Sequence, residues 1–200
     1  DEVFNSYIDW QKPVESFSGS AVFRSKTSSS GMLKGYVTAD WGDMAYLVPN
    51  GPDAPLLEIS NRGTTAYSNF LYRDCFSENS CYRVGISSTY QNSRLGMGTN
   101  ALDNREWNTE ARFTSIHDVS DGVKITWGFN ETTRNYEQVF IENDENEFPL
   151  GFTDFLTGGF VEGEIKFTKN LAIRPGIRSE YASVIEQWNL APRFAVALKT

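Results

Sequence analysis

The sequence predicts an all-β protein built from antiparallel, up-and-down strands. Three observations carry that expectation. Apolar and polar residues alternate with a period of two along most of the chain. Helical periodicity is almost absent. Tight turns alternate roughly with long polar connections.

The alternation is clearest around residues 161–181. Val161, Gly163, Ile165 and Phe167, then Leu171, Ile173, Pro175 and Ile177, fall on one side. Glu162, Glu164, Lys166 and Thr168, then Ala172, Arg174, Gly176 and Arg178, fall on the other. Thr168–Lys169–Asn170 closes a tight turn between the two runs, since Asn tolerates left-handed backbone. The product is a hairpin with one apolar and one charged face. A soluble sandwich packs such an apolar face on a second sheet, whereas a membrane barrel turns it to lipid and lines its lumen with the charged face. Alternation alone leaves both open.

The other strand candidates run, in order, Val3–Trp10, Phe17–Ser25, Met32–Trp41, Thr65–Cys75, Cys81–Tyr90, Trp107–His117, Gly122–Asn130 and Asn135–Ile141. Phe160–Thr168, Leu171–Tyr181 and Asn189–Lys199 follow. Tight turns are expected at Gln11–Glu15, Asp118–Gly122 and Lys169–Asn170, and long polar loops at Gly42–Thr64, Asn92–Arg105 and Glu142–Gly158. Short turns at one end and longer loops at the other are the habit of outer-membrane barrels. No repeat or linker interrupts the chain.

The 200 residues suffice for one domain. With 26 acidic against 18 basic residues the net charge is −8, and no basic cluster in the sequence points to nucleic acid. No apolar run reaches the 18 or so residues of a transmembrane helix, but a transmembrane strand needs only about 9–11 alternating residues. The opening DEVFNSYIDW carries no signal segment, so a processed product or part of a longer chain is expected.

Cys75 and Cys81 flank the polar FSENS, and a disulfide closing that loop is expected, with an oxidising compartment. Their spacing is not that of a metal site, and the single histidine, His117, is remote in sequence. Asp118 follows His117 on a strand and therefore points away from it, so no catalytic triad forms there. No catalytic residues and no enzyme activity are expected. IENDENEFPLG holds a weak calcium candidate in Asp144 and Glu145, without EF-hand spacing; a solvated acidic loop is the simpler reading. No cofactor is indicated. The Gly-rich GMGTN follows no strand-to-helix pattern that a phosphate loop needs. The match of Asn130–Thr132 to a glycosylation sequon is too short to carry weight. Aromatic residues in or beside the expected loops, Trp41, Tyr46, Phe148 and Phe152 foremost, are the candidate ligand contacts. Interfacial girdles also use such residues.

Two C-terminal stretches add a family resemblance. GGFVEGEIKFTKNLAIRPGIRSEY resembles a barrel hairpin of TonB-dependent outer-membrane receptors, ending in their P-G-x-R-x-E-Y type of strand. WNLAPRFAVALKT is similar to the strand that follows it, with a P-R-x-x-x-A type of start. GYVTADWGD and ALDNREWNTEARFT are compatible with the same pattern. The resemblance implies a transmembrane β-barrel closed by a plug, in the outer membrane of a Gram-negative bacterium, taking up a scarce nutrient. It implies outer-membrane lipid, the remainder of the barrel and its plug as partners. Through the plug it implies an inner-membrane energy-coupling protein, and at the surface a lipoprotein. Plugged transporters have about 22 strands, and at roughly ten membrane residues per strand residues 1–200 supply about 8–11. The expectation is therefore a segment of barrel wall without its plug. Its charged residues Glu162, Glu164, Lys166, Arg174, Arg178 and Arg193 would pair across lumen-facing strands. The alternatives are a soluble secreted β-sandwich that binds carbohydrate, and a complete small outer-membrane barrel.

Overall fold

A computed structural model describes residues 8–51 and 54–198. They form one sheet of nine antiparallel strands in the order β1 to β9, each hydrogen-bonded to its sequence neighbours. The strands are β1 (Asp9–Lys26), β2 (Met32–Val48), β3 (Leu57–Ser77), β4 (Ser80–Met97), β5 (Asn100–Ser120), β6 (Val123–Glu142), β7 (Asn146–Lys166), β8 (Leu171–Ala182) and β9 (Gln187–Leu198). The all-β, up-and-down expectation holds. Within the described residues β1 and β9 pair on one side only, so these nine strands are an open sheet and not a closed small barrel. Nor do they form a sandwich, since there is no second sheet among them.

Three expectations change. The predicted long loops are mostly strand: β3, β5 and β7 each run for 21 residues, about 70 Å of chain. Gln11–Glu15 is not a turn but an irregular stretch of β1, with register shifts at Trp10/Lys12 and Lys12/Glu15. Pro13 lies there, where a missing ladder donor is tolerated. The expected strands Gly122–Asn130 and Asn135–Ile141 are one strand, β6, apart from Gly122, which stays in the β5–β6 turn. Most of the expected strand Val3–Trp10 lies outside the described residues.

The remaining turns follow local chemistry. Gly98 turns β4 into β5 at φ +61°, and Asn143 and Asp144 turn β6 into β7 at φ 53° and 57°, a conformation glycine and Asn/Asp accept most readily. The predicted turn at Lys169–Asn170 is present, and the Thr168 hydroxyl accepts the Asn170 and Leu171 N–H groups at 3.2 and 3.0 Å.

Residues directly opposite one another share a row and a face. Face A carries an apolar band, Leu33–Trp41 on β2, Tyr82–Tyr90 on β4 and Trp188–Leu198 on β9, counted at every second residue. Aromatic pairs flank it: Tyr90–Trp107 at 5.8 Å and Tyr181–Trp188 at 5.1 Å above, Tyr72–Tyr82 at 6.0 Å below. The band does not follow the rows. The row of Trp188 runs back through Tyr181, Thr157, Glu131, Ala111, Ile86 and Phe70 to Gly35. Trp188 heads the band on β9, yet Gly35 lies near its foot on β2. The band therefore crosses the sheet obliquely, as a level belt crosses the tilted strands of a barrel.

The sheet has no core of its own. Among the described residues Ala101, at 6%, is the one buried apolar side chain. The chain exposes 13950 Å², where a compact monomer of 22.6 kDa exposes about 9,500 Å². Phe17, Val22, Ile86, Trp107, Phe129 and Phe194 are all exposed.

Candidate functional site

Face B, opposite the band, holds the candidate site, and it has two unlike ends. Below lies a polar network across β6, β7 and β8. Arg178 donates to Glu180 at 2.8 Å and to Asn130 Oδ1 at 2.8 Å. Its guanidinium reaches β6 by passing over Gly158 of β7, where a Cβ would stand 2.9 Å from Asn130 Oδ1 and 3.2 Å from Arg178 Nη2. Asn130 is 5% exposed. One step further down, the β7–β8 ladder lapses opposite Pro175, which has no N–H, and resumes in the same register. Arg174 spans that gap, 2.7 Å from Glu164 and 3.4 Å from Glu162. Lys166 stands 3.9 Å from Glu164. Of the cross-strand charge pairing expected here, Arg174 with Glu162 and Glu164 is present, whereas Lys166–Glu164 and Arg178–Glu180 pair within one strand and Arg178 crosses to β6 only through the neutral Asn130. For Arg193, no described carboxylate is within ion-pair distance.

The upper end of face B is apolar and aromatic. Leu95, Leu102, Phe140 and Phe148 share one row, and Tyr136 and Phe152 are paired two rows below. Phe140–Phe148 stack at 6.1 Å and Tyr136–Phe152 at 5.4 Å. The Arg134 guanidinium lies 5.7 Å from the Tyr136 ring and 5.6 Å from that of Phe152, held by a two-pronged bond to Glu106 at 2.8 and 3.1 Å. Asn104 accepts from Tyr136 at 3.3 Å and Gln138 at 2.9 Å. Of the sequence candidates, Phe148 and Phe152 belong to this surface. Tyr46 is on the same face five strands away, with Trp10 at 5.4 Å. Trp41 is on face A, at the upper margin of the band, under Lys12 at 5.8 Å. Tyr136, Phe140 and Arg134 were not singled out in the sequence; the apolar alternation of even residues through Tyr136, Phe140, Phe148 and Phe152 is the signal that finds them.

The same height on face A is mainly polar, with Val139 and Ile141 of β6 among the charged groups. A groove of about 490 Å³ there is bordered by Arg62, Arg94, Asp103, Arg105 and Glu137. Arg94–Asp103 and Arg105–Glu137 pair at 3.3 and 3.6 Å.

The other candidates have local roles. His117 bonds to Ser80 at 3.0 Å and Ser115 at 2.9 Å, and Trp127 donates to its Nε2 at 3.3 Å. Ser115 is 2% exposed. Asp118 points to the opposite face and pairs with Lys124 at 3.3 Å. Cys75 and Cys81 are directly opposite and joined in a disulfide. Asp144 and Glu145 form the β6–β7 turn, where the Asp144 N–H donates to Thr99 at 2.9 Å. No metal-holding group of three His, Cys, Asp or Glu occurs among the described residues. Below the band, Asp74 accepts from Ser30, Tyr72, the Cys75 N–H and Ser28 at 2.5 to 3.2 Å. Those donors, Ser30 foremost, hold its carboxyl down to about 2.

No family model matches the sequence, and no curated protein matches it. Among solved structures, the fold is similar to the deltaS2 mutant of TodX, a monoaromatic hydrocarbon channel, at TM-score 0.38 and 9% identity. That alignment covers 92% of this chain and 64% of TodX. BauA, the ferric preacinetobactin receptor from Acinetobacter baumannii, aligns at TM-score 0.38 and 10% identity, over 95% of this chain and 43% of its own. The chain thus spans under two thirds of either protein.

Proposed function

We propose that this chain is part of the wall of an outer-membrane transport barrel, of the TonB-dependent receptor type that its C-terminal strands resemble. The observation that carries the reading is the oblique apolar band. A belt of constant height on tilted strands has to slip steadily against the hydrogen-bonded rows, and a band flanked by aromatics is what a bilayer selects at its two interfaces. The exposed area supports it too, because an apolar face with no second layer among the described residues has to be covered, and lipid covers it in a barrel.

In this reading face A of the band meets lipid, face B lines the lumen, and the long upper overhang projects outside the cell. The outer membrane of a Gram-negative bacterium is the compartment. The ligand enters past Phe148, Phe152, Tyr136 and Arg134, with Tyr46 on the far side of the same mouth. Trp41 is an interfacial anchor instead. The remaining strands and a plug complete the barrel. Energy reaches it through the plug from an inner-membrane coupling protein, and a surface lipoprotein is the candidate for covering the mouth.

Fractionation of cells that make the native polypeptide tests this. The protein should sediment with outer membranes, resist carbonate and require detergent. Recovery in the soluble fraction would sink the reading. The energy-coupled part is tested by crosslinking the native protein to the inner-membrane coupling protein. A membrane-embedded barrel that never crosslinks would keep the wall and remove the TonB dependence.

A further inference from the structure

The cations of face B are distributed unevenly. On β6–β9 most are paired, as described above. On β1–β5 they are not. Arg24 and Lys34 are directly opposite each other, as are Arg73 and Arg83. Lys26 shares the row of Arg73 through Met32. None of these five has a described carboxylate within ion-pair distance, and Arg112 alone on this patch has one, Glu110 at 2.6 Å. Asp74 cannot serve, because it lies on face A, bound to the Ser28–Ser30 turn. The patch is about 19 Å wide and 7 Å tall, from strand and residue spacing. Like charges directly opposite destabilise a sheet, so in a chain of net charge −8 this one cationic strip is short of its counter-charge.

The strip also has a recess. Gly85 is directly opposite Arg112 and lies two residues from Arg83 on the same face. A Cβ there would meet nothing nearer than Leu71 Cδ1 at 3.6 Å. Arg73 is diagonal to it, and Thr114, opposite Arg83, offers a hydroxyl. The two guanidinium forks of Arg73 and Arg83, free of any described carboxylate and beside the Gly85 floor that Leu71 borders, suit a compact oxyanion, because each fork can donate two parallel hydrogen bonds to phosphate or carboxylate oxygens; Arg112, bound to Glu110, stands at the edge. Rings of Arg and Lys perform this selection in anion pores.

We propose that face B of β1–β5 binds multiply charged oxyanion solutes, with Arg73 and Arg83 beside Gly85 as the site. The inference rests on the barrel reading only in placing face B on the wet interior. The test is calorimetric titration of inorganic pyrophosphate into the full native protein in detergent. Binding should weaken steeply with salt, and Arg73→Ser/Arg83→Ser should weaken it by at least about tenfold. Gly85→Leu, which leaves the charge intact and fills the floor, should weaken it as well, whereas Lys124→Ser should stay within about twofold since Lys124 is already paired. Arg83→Ser alone serves the same purpose should the double variant not assemble. No pyrophosphate binding by the native protein overturns the proposal. Binding indifferent to all these substitutions overturns it too. A soluble native protein defeats the barrel reading, whereas an embedded one that ignores pyrophosphate defeats this inference alone.

Discussion

The lower and upper halves of the same strands obey opposite rules. On β4, face A presents Tyr82, Val84, Ile86 and Tyr90, then Asn92 and Arg94. Face B presents Arg83, Gly85 and Ser87 at the band, then Leu95 and Met97 above it. β6 does so in part: Ile125, Trp127 and Phe129 on face A give way to Tyr136 and Phe140 on face B, while Val139 and Ile141 stay on face A. Nothing in the backbone changes at the crossing, as the register from Ala101↔Ile141 to Asp118↔Lys124 is unbroken. On the proposed barrel reading, what changes is the surroundings. At the band, face A is the greasy side, while above it the polar groups of face A meet solvent and the apolar ones gather on face B. On that reading the faces are fixed by what covers them, not by the strand.

The largest test of that contrast uses one substitution at two heights on one face of one strand. Ile86→Arg, inside the band, should cost about 2–4 kcal/mol, and Asn92→Arg, above it, less than about 0.5 kcal/mol. Urea unfolding of the native protein in lipid vesicles measures both. Equal costs would mean that face A sees one environment throughout, and the band would lose its meaning.

The same inversion explains what was legible in the sequence. The lower halves could be read because their alternation keeps one phase for several residues, as in Val123–Phe129 and in Glu162–Arg178 with its turn at Thr168–Asn170. Where the strand leaves the band the apolar residues switch parity. That phase break reads as a loop, so the sequence predicts two strands parted at Glu131–Arg134 where β6 is one, and a connection over Asn146–Gly158, the first 13 residues of β7. The Cys75–Cys81 pairing was readable from local spacing. The aromatic surface was half-readable, since Phe148 and Phe152 announce themselves, but Trp41 belongs to the other face by parity alone. The unpaired cations could not be seen, because Arg73 and Arg83 become neighbours only through the β3–β4 register.

A smaller effect sharpens the contrast on face B. Asn130 is buried beneath Arg178 in the lower half; Asn104 is half-buried beside Tyr136 in the upper. Asn130→Leu removes the acceptor of a charged donor and should cost about 1–3 kcal/mol, against less than about 1 kcal/mol for Asn104→Leu. Gly158→Ala should share part of the Asn130 cost, since its methyl group would stand in the path of the guanidinium. A Gly158→Ala variant as stable as the native protein would show that Arg178 has another route to β6.

The finest distinction is between the turns at the two ends, and it is read by pH. Below, the β1–β2 turn is tied to β3 through the Asp74 carboxylate and the Ser28 and Ser30 hydroxyls. Above, the β6–β7 turn is tied to its neighbour by neutral groups, Asn143 N–H to Asn100 Oδ1 at 3.0 Å and Asp144 N–H to the Thr99 carbonyl at 2.9 Å. Asp74 is held near 2 in the folded protein against 3.8 for the free side chain. A carboxyl depressed on folding stabilises fully above its unfolded value and loses that contribution as pH falls through its folded one. The stability difference between the native protein and Asp74→Asn should therefore be constant above about pH 5 and shrink between about pH 4 and 2. Between Asn143→Ala and the native protein it should stay flat over the same range. Melting temperatures in detergent across that range decide it. A difference for Asp74→Asn that does not narrow in acid would mean that its hydroxyl partners bind the neutral side chain equally well, and the lower turn would then be held by shape and not by charge.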